Sequence, residues 1–97
     1  MTKRPLIIIG ASARAAAQSA VRSGFSPYAI DLFGDADLRE VSSVTQITRY
    51  PAEFLPALAA APSAPWIHTG SLENYPRLVA RLARLRPLLG NGPETLT

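Results

Sequence analysis

Two different hydrophobic patterns follow one another at the start of this chain, first a continuous apolar run and then a segment with helical spacing. Residues 6–9 (LIII) form an unbroken apolar run that ends at Gly10, and an alanine-rich segment with helical spacing comes next. β-Branched side chains suit a pleated sheet, and a strand without polar alternation is typical of a parallel sheet that helices cover on both faces. The pattern therefore predicts a buried strand, a turn at Gly10 and a helix over about residues 13–23, with Gly24 ending that helix.

Strand patterns and helix patterns alternate along the rest of the chain. Further strands are predicted over residues 28–33, 44–49, 66–69 and 88–89. The strand at 44–49 alternates polar and apolar residues, so we expect it at an edge of the sheet. The alternation predicts an α/β fold in three layers, with helices on both faces of an open parallel sheet of strand order 3-2-1-4-5, as in Rossmann-like domains.

Three further helices connect these predicted strands. They are expected at residues 38–41, 51–61 and 75–86, with Asn74 as a plausible N-cap of the last one. Pro56 lies inside the helix at 51–61, where a proline shifts the start of the helix or kinks it. The apolar side chains expected to face the core from the last two helices are Phe54, Leu55, Leu58, Leu78, Val79, Leu82 and Leu85.

The length of the chain allows one small domain. The 97 residues suffice for a single core, which we assign to residues 1–90. Residues 91–97 have the pattern of a linker or of the first turn of a helix, and so short a helix is not stable alone. We therefore expect further domains to follow this segment, and a disordered tail is the alternative.

The composition of the chain limits the cellular compartments and the kinds of binding partner that we expect. The chain has no cysteine, which excludes disulfides and thiolate metal sites, and its first apolar run is too short for a signal-peptide core or a membrane span. We expect a cytoplasmic protein without a membrane partner. The net charge is +3, and four arginines cluster at Arg77, Arg81, Arg84 and Arg86. A nucleic-acid surface is conceivable there, but we expect solvated helix faces and no nucleic-acid partner. A homodimer is left open.

The predicted topology brings two loops together. Ligands of open α/β sheets bind where the strand order reverses, beyond the carboxyl ends of the strands. In the predicted order this point lies between the first and fourth strands, where residues 10–14 and 68–74 leave the sheet. The candidate substrate-binding residues in these loops are Gly10, Ser12, Arg14, Thr69, Glu73 and Asn74.

Arg14 is the most informative of these residues. A cation in the first turn of a helix opposes the helix dipole, which costs roughly 0.3–1 kcal/mol. Such a cation is expected to hold an anion or an acidic side chain from elsewhere, and Glu73 is the natural candidate for that partner. An exposed arginine that lies along the helix is the equally weighted alternative.

Asp31 is a weaker candidate, for cofactor binding. It follows Gly10 by 21 residues, the spacing at which dinucleotide-binding folds place an acid for the ribose hydroxyls. Only one of the three fingerprint glycines is present, so capping of the next turn is the alternative role. His68 is the only histidine, and neither a metal site nor a catalytic residue is predicted.

These residues together resemble the N-terminal domain of ATP-grasp proteins, called pre-ATP-grasp. The matching segments are LIIIGASARAAA (6–17), YAIDLFGD (28–35), TGSLEN (69–74) and LLGN (88–91). The resemblance implies a domain that packs against later nucleotide-binding domains and helps to bind a small acid or amine substrate. Those domains would use ATP and magnesium to form a carbon–nitrogen bond through an acyl phosphate. This chain alone would hold no cofactor and would not be catalytic.

Two other functions remain open from the sequence. One is a stand-alone Rossmann-like module that binds NAD or a nucleotide at the Gly10 corner. The other is a non-enzymatic interaction domain that works through the arginine-bearing last helix.

Overall fold

Strands and helices alternate along the described part of the chain. The computed structural model describes residues 4–69, 72 and 74–89. The strands are β1 (Arg4–Gly10), β2 (Phe25–Asp31), β3 (Ser43–Gln46) and β4 (Trp66–His68). The helices are α1 (Arg14–Arg22), α2 (Ala36–Val41), α3 (Phe54–Ala60) and α4 (Pro76–Leu85). The predicted residues 91–97 lie outside the described residues.

All four strands are parallel, in the order β3-β2-β1-β4. The parallel α/β fold is therefore confirmed, and β3 lies at an edge as expected. The five-stranded order is not confirmed, because within the described residues Leu88 makes only an isolated bridge to Trp66. The Pro87 carbonyl accepts from Trp66 N–H, and Leu89 N–H donates to the Trp66 carbonyl. Pro87 itself has no N–H that could donate to β4 and lengthen the ladder.

The two faces of the sheet carry separate cores. α1 and α2 cover one face, where Leu6 and Ile8 of β1 are buried beside Leu38. α3 and α4 cover the other face, where Ile7 and Ile9 are buried among apolar side chains of both helices. Successive side chains of a strand point to opposite faces, so the unbroken apolar run supplies both cores at once.

Several element boundaries differ from the prediction, among them the start of β2, which is Phe25 rather than residue 28. β2 ends at Asp31 rather than residue 33, because the Phe33 and Gly34 N–H groups turn back to the Asp31 carboxylate instead of bonding to a neighbouring strand. β3 ends at Gln46, three residues early. α3 begins only at Phe54, which makes Pro56 its third residue, where the missing N–H has no intrahelical acceptor to lose.

The last helix faces the core with fewer residues than expected. Val79 and Leu82 are buried, whereas Leu85, predicted to point inward, is 37% exposed. Leu55 of α3 is likewise only partly buried. The helix is capped by Tyr75 rather than Asn74, and Pro76 occupies its first turn as expected.

Candidate functional site

The loops that follow β1 and β4 meet at the carboxyl edge of the sheet. Thr69 N–H donates to the Ile9 carbonyl over 3.0 Å, and an added Cβ on Gly10 would lie 1.9 Å from Thr69 Oγ1. Only glycine fits at position 10 with Thr69 so close. The structure thus brings Gly10 and Thr69 into direct contact at the point where the strand order reverses.

The remaining candidate residues of the two loops differ in exposure. Ser12 and Asn74 are exposed, and Thr69 is half-buried. Leu72 is buried and anchors the second loop, since its N–H donates to the Thr69 carbonyl over 3.2 Å. Glu73, predicted to bind substrate or to pair with Arg14, lies outside the described residues.

Arg14 begins α1 and finds its acidic partner on α2. Its Nη1 lies 3.6 Å from Asp37 Oδ2, and the two side chains are 50% and 64% exposed. Water screens an ion pair this exposed, so the pair contributes little to stability. The guanidinium is therefore half exposed and directed toward α2, and only a weak, exposed ion pair holds it there.

Asp31 joins the first loop to the second strand. The carboxylate is buried, with 1% exposure, and its Oδ2 accepts from Ala13 N–H over 2.6 Å. Its Oδ1 accepts from Phe33 N–H and Gly34 N–H over 2.6 and 2.7 Å. This is the turn-capping role, and a ribose hydroxyl would have to displace these bonds to reach the carboxylate.

His68 lies under the second loop, at the end of β4. Its side chain is 9% exposed, its Nδ1 is 3.1 Å from the Thr69 carbonyl, and its ring is tilted against Trp66 at 5.9 Å. Within residues 4–69, 72 and 74–89, no group of three or more histidine or carboxylate side chains is placed to hold a metal ion.

The start of α1 presents hydrogen-bond donors at the carboxyl edge of the sheet. The first N–H groups of a helix have no intrahelical acceptor, and those of α1 begin directly after the Gly10 turn. The Arg14 guanidinium lies in the same first turn. The buried Asp31 carboxylate, which accepts from Ala13 N–H at the N-cap, already occupies part of this positive helix end. A further anion would have the remaining first-turn N–H groups and the exposed Arg14 as donors.

Arg86 has a role that sequence reasoning missed. It belongs to the arginine cluster expected on solvated faces, yet it is half-buried, and its Nη2 donates to the Ala59 and Ala61 carbonyls over 3.3 Å each. A cation at the carboxyl end of a helix is favourable, so Arg86 ties α4 to the end of α3. The sequence indicated this role only through the position of Arg86 at the carboxyl end of the last helix.

Comparisons with known proteins do not assign this chain to a family, so its class is described by its fold alone. No family model, curated protein or solved structure matches it. The fold defines a three-layer α/β domain with a doubly wound parallel sheet. In the part of the chain that the structure describes, none of the helices combines the length and apolar character needed to cross a membrane.

Proposed function

We propose that this chain is the leading, substrate-binding domain of an ATP-grasp ligase-like enzyme. The observation that supports the proposal is the contact of Gly10 with Thr69 beside β1 and β4. In doubly wound folds this position at the strand-order reversal is the usual ligand crevice. The resemblance of the chain to the pre-ATP-grasp domain supplies the reaction class, which is carboxylate–amine ligation through an acyl phosphate.

Each candidate residue has a defined part in this proposal. Arg14 and the first N–H groups of α1 bind the carboxylate of a small acid, with the Ser12 hydroxyl and the Gly10 backbone beside them. Thr69 and Asn74, together with Glu73, which lies outside the described residues, are the residues proposed to bind an amine substrate. ATP and magnesium belong to the later domains, which continue a cytoplasmic protein beyond the segment at 91–97. The proposal also includes residues 88–89 as a fifth strand, which the bridge from Leu88 to Trp66 supports.

Arg14→Ala in the protein encoded by the complete reading frame tests the proposal. The ADP released from ATP is measured with mixtures of small carboxylic acids and amines. We expect the variant to raise the KM for the acid by roughly tenfold, because a charge-assisted hydrogen bond contributes about 1.5–3 kcal/mol. An unchanged KM, or a reading frame that stops after Thr97, contradicts the proposal. Arg22→Ala, on the same helix but at its other end, is the matched control.

NAD binding by the 97-residue chain separates this proposal from the stand-alone nucleotide module. The proposal expects no saturable binding of NAD at micromolar concentrations, because the Asp31 carboxylate already accepts three backbone hydrogen bonds. Micromolar binding that Asp31→Asn abolishes, in a variant still folded by circular dichroism, would favour the nucleotide module.

A further inference from the structure

A groove of approximately 530 Å³ runs between α3 and α4, on the face of the domain away from α1. Its lining is apolar except for two guanidinium groups, and consists of Leu55, Pro56, Ala59, Leu85, Arg81 and Arg84. The size is within the range of about 300–1,000 Å³ that binding clefts have. This groove is separate from the crevice at Gly10 and Thr69.

The two leucines of the groove explain why it is open. Both were expected in the core, but among the described residues no element covers them, and Leu85 stays 37% exposed. Apolar side chains that line a shared concave surface are typical of an interaction site, whereas single exposed leucines are not.

The arginines of the groove have no acidic partner in the described part of the chain. Among the described residues, the ion pair that forms joins Arg14 to Asp37, and it lies on the opposite face of the domain from the groove. α3, which forms the opposite wall, carries no acidic residue. Arg81 and Arg84 are exposed, in contrast to Arg86, which bonds to the end of α3. The groove therefore offers two uncompensated positive charges beside an apolar floor.

From this combination we propose that the α3–α4 groove binds an acidic amphipathic helix of a partner protein. Its apolar side chains would lie between Leu55 and Leu85, and its carboxylates would pair with Arg81 and Arg84. This is the helix-in-groove mode of peptide recognition. A second copy of the chain fits less well, because each copy has a net charge of +3 and would bring the same arginines. Nucleic acid fits less well too, since the lining has no aromatic side chain on which a base can stack.

A synthetic peptide provides the probe for the test. It is helix-forming, with leucines at positions i, i+4 and i+7 and glutamates on both sides of them. Binding to the 97-residue chain is followed by fluorescence anisotropy at low salt. We expect saturable binding, and Arg81→Ala and Arg84→Ala should each raise the Kd by roughly fivefold, the upper end for an exposed ion pair. Leu85→Ser should raise it as well, and its exposure lets the variant fold.

Matched variants make the result specific to the groove. Arg77→Ala removes the same charge from the same helix outside the groove and should leave the Kd within about twofold. Arg14→Ala should also leave it unchanged, which separates this site from the crevice of the proposed function. The inference is overturned if the peptide does not bind saturably, if Arg77→Ala weakens it equally, or if a peptide with serine for leucine binds as tightly. Preference for single-stranded DNA or for phosphatidylglycerol vesicles would overturn it too.

Discussion

At the residue scale, Gly10 and Thr69 lie against each other where the two site loops meet. A Cβ on Gly10 would lie 1.9 Å from Thr69 Oγ1 and 3.0 Å from both Thr69 Cβ and Cγ2, so rotation of the hydroxyl does not clear the space. Gly10→Ala should therefore lower the free energy of unfolding by about 1–3 kcal/mol, the range for overpacking. Urea denaturation measures the change.

Thr69→Ala in the same background is the control for this prediction. It removes Oγ1 and Cγ2, so the double variant should regain part of the lost stability in a double-mutant cycle. If Gly10→Ala is as stable as the original chain, the loops are farther apart than described here.

A second prediction at this scale concerns Asp31. Its buried carboxylate accepts three backbone N–H bonds, whereas an asparagine offers one oxygen and an N–H₂ group that would face a donor. Asp31→Asn should lower the free energy of unfolding by about 2–3 kcal/mol. Asp37→Asn is the matched control, because that carboxylate is 64% exposed and its loss should change stability by no more than about 0.5 kcal/mol. Equal effects of the two substitutions would contradict the capping role.

At the scale of elements, the carboxylate of Glu53, the N-cap residue of α3, fixes the loop that leads from β3 to this helix. The backbone N–H of Arg49 donates to this carboxylate, as do the N–H and hydroxyl of Thr48 over 2.7 and 3.0 Å. These bonds, that of Arg49 first, hold the pKa of Glu53 below its ordinary value of 4.5. A lowered pKa in the folded state stabilises the fold above about pH 4.5, and this stabilisation is lost as the pH falls through the lowered value.

Glu53→Gln should therefore be less stable than the original chain at pH 7 and approach it in stability as the pH falls below 4.5. Thermal unfolding followed by circular dichroism across this range measures the difference. Glu40→Gln, an exposed acid on α2, is the control and should show no such convergence. A gap between the Glu53 variant and the original chain that stays constant from pH 7 to pH 3 would contradict this account of the loop before α3.

At the scale of the whole molecule, the parts predicted from sequence are those that local pattern decides. The apolar run ending at Gly10 was sufficient to place a buried strand, and alternation with helices placed its neighbours. Contacts between distant elements were not predictable in the same way. Arg14 pairs with Asp37 because α1 and α2 pack on the same face of the sheet, and Leu85 is 37% exposed in the groove between α3 and α4. The hydrophobic periodicity of the sequence predicts neither of these two arrangements.

The same topology predicts how the molecule opens. β1 is paired on both sides and its isoleucines are fully buried, whereas Leu89 is held by a bridge beside the short strand β4. Amides at residues 7–9 should exchange hydrogen only through global unfolding, and the Leu89 amide should exchange through a local opening at much lower free energy. Native-state hydrogen exchange with added denaturant distinguishes the two, because local opening is insensitive to low denaturant. The reference for global exchange is the amide of Ile30, a fully buried residue of β2 that pairs with β1 and β3. If the Leu89 amide is protected as strongly as that of Ile30, residues 88–89 belong to a stable fifth strand.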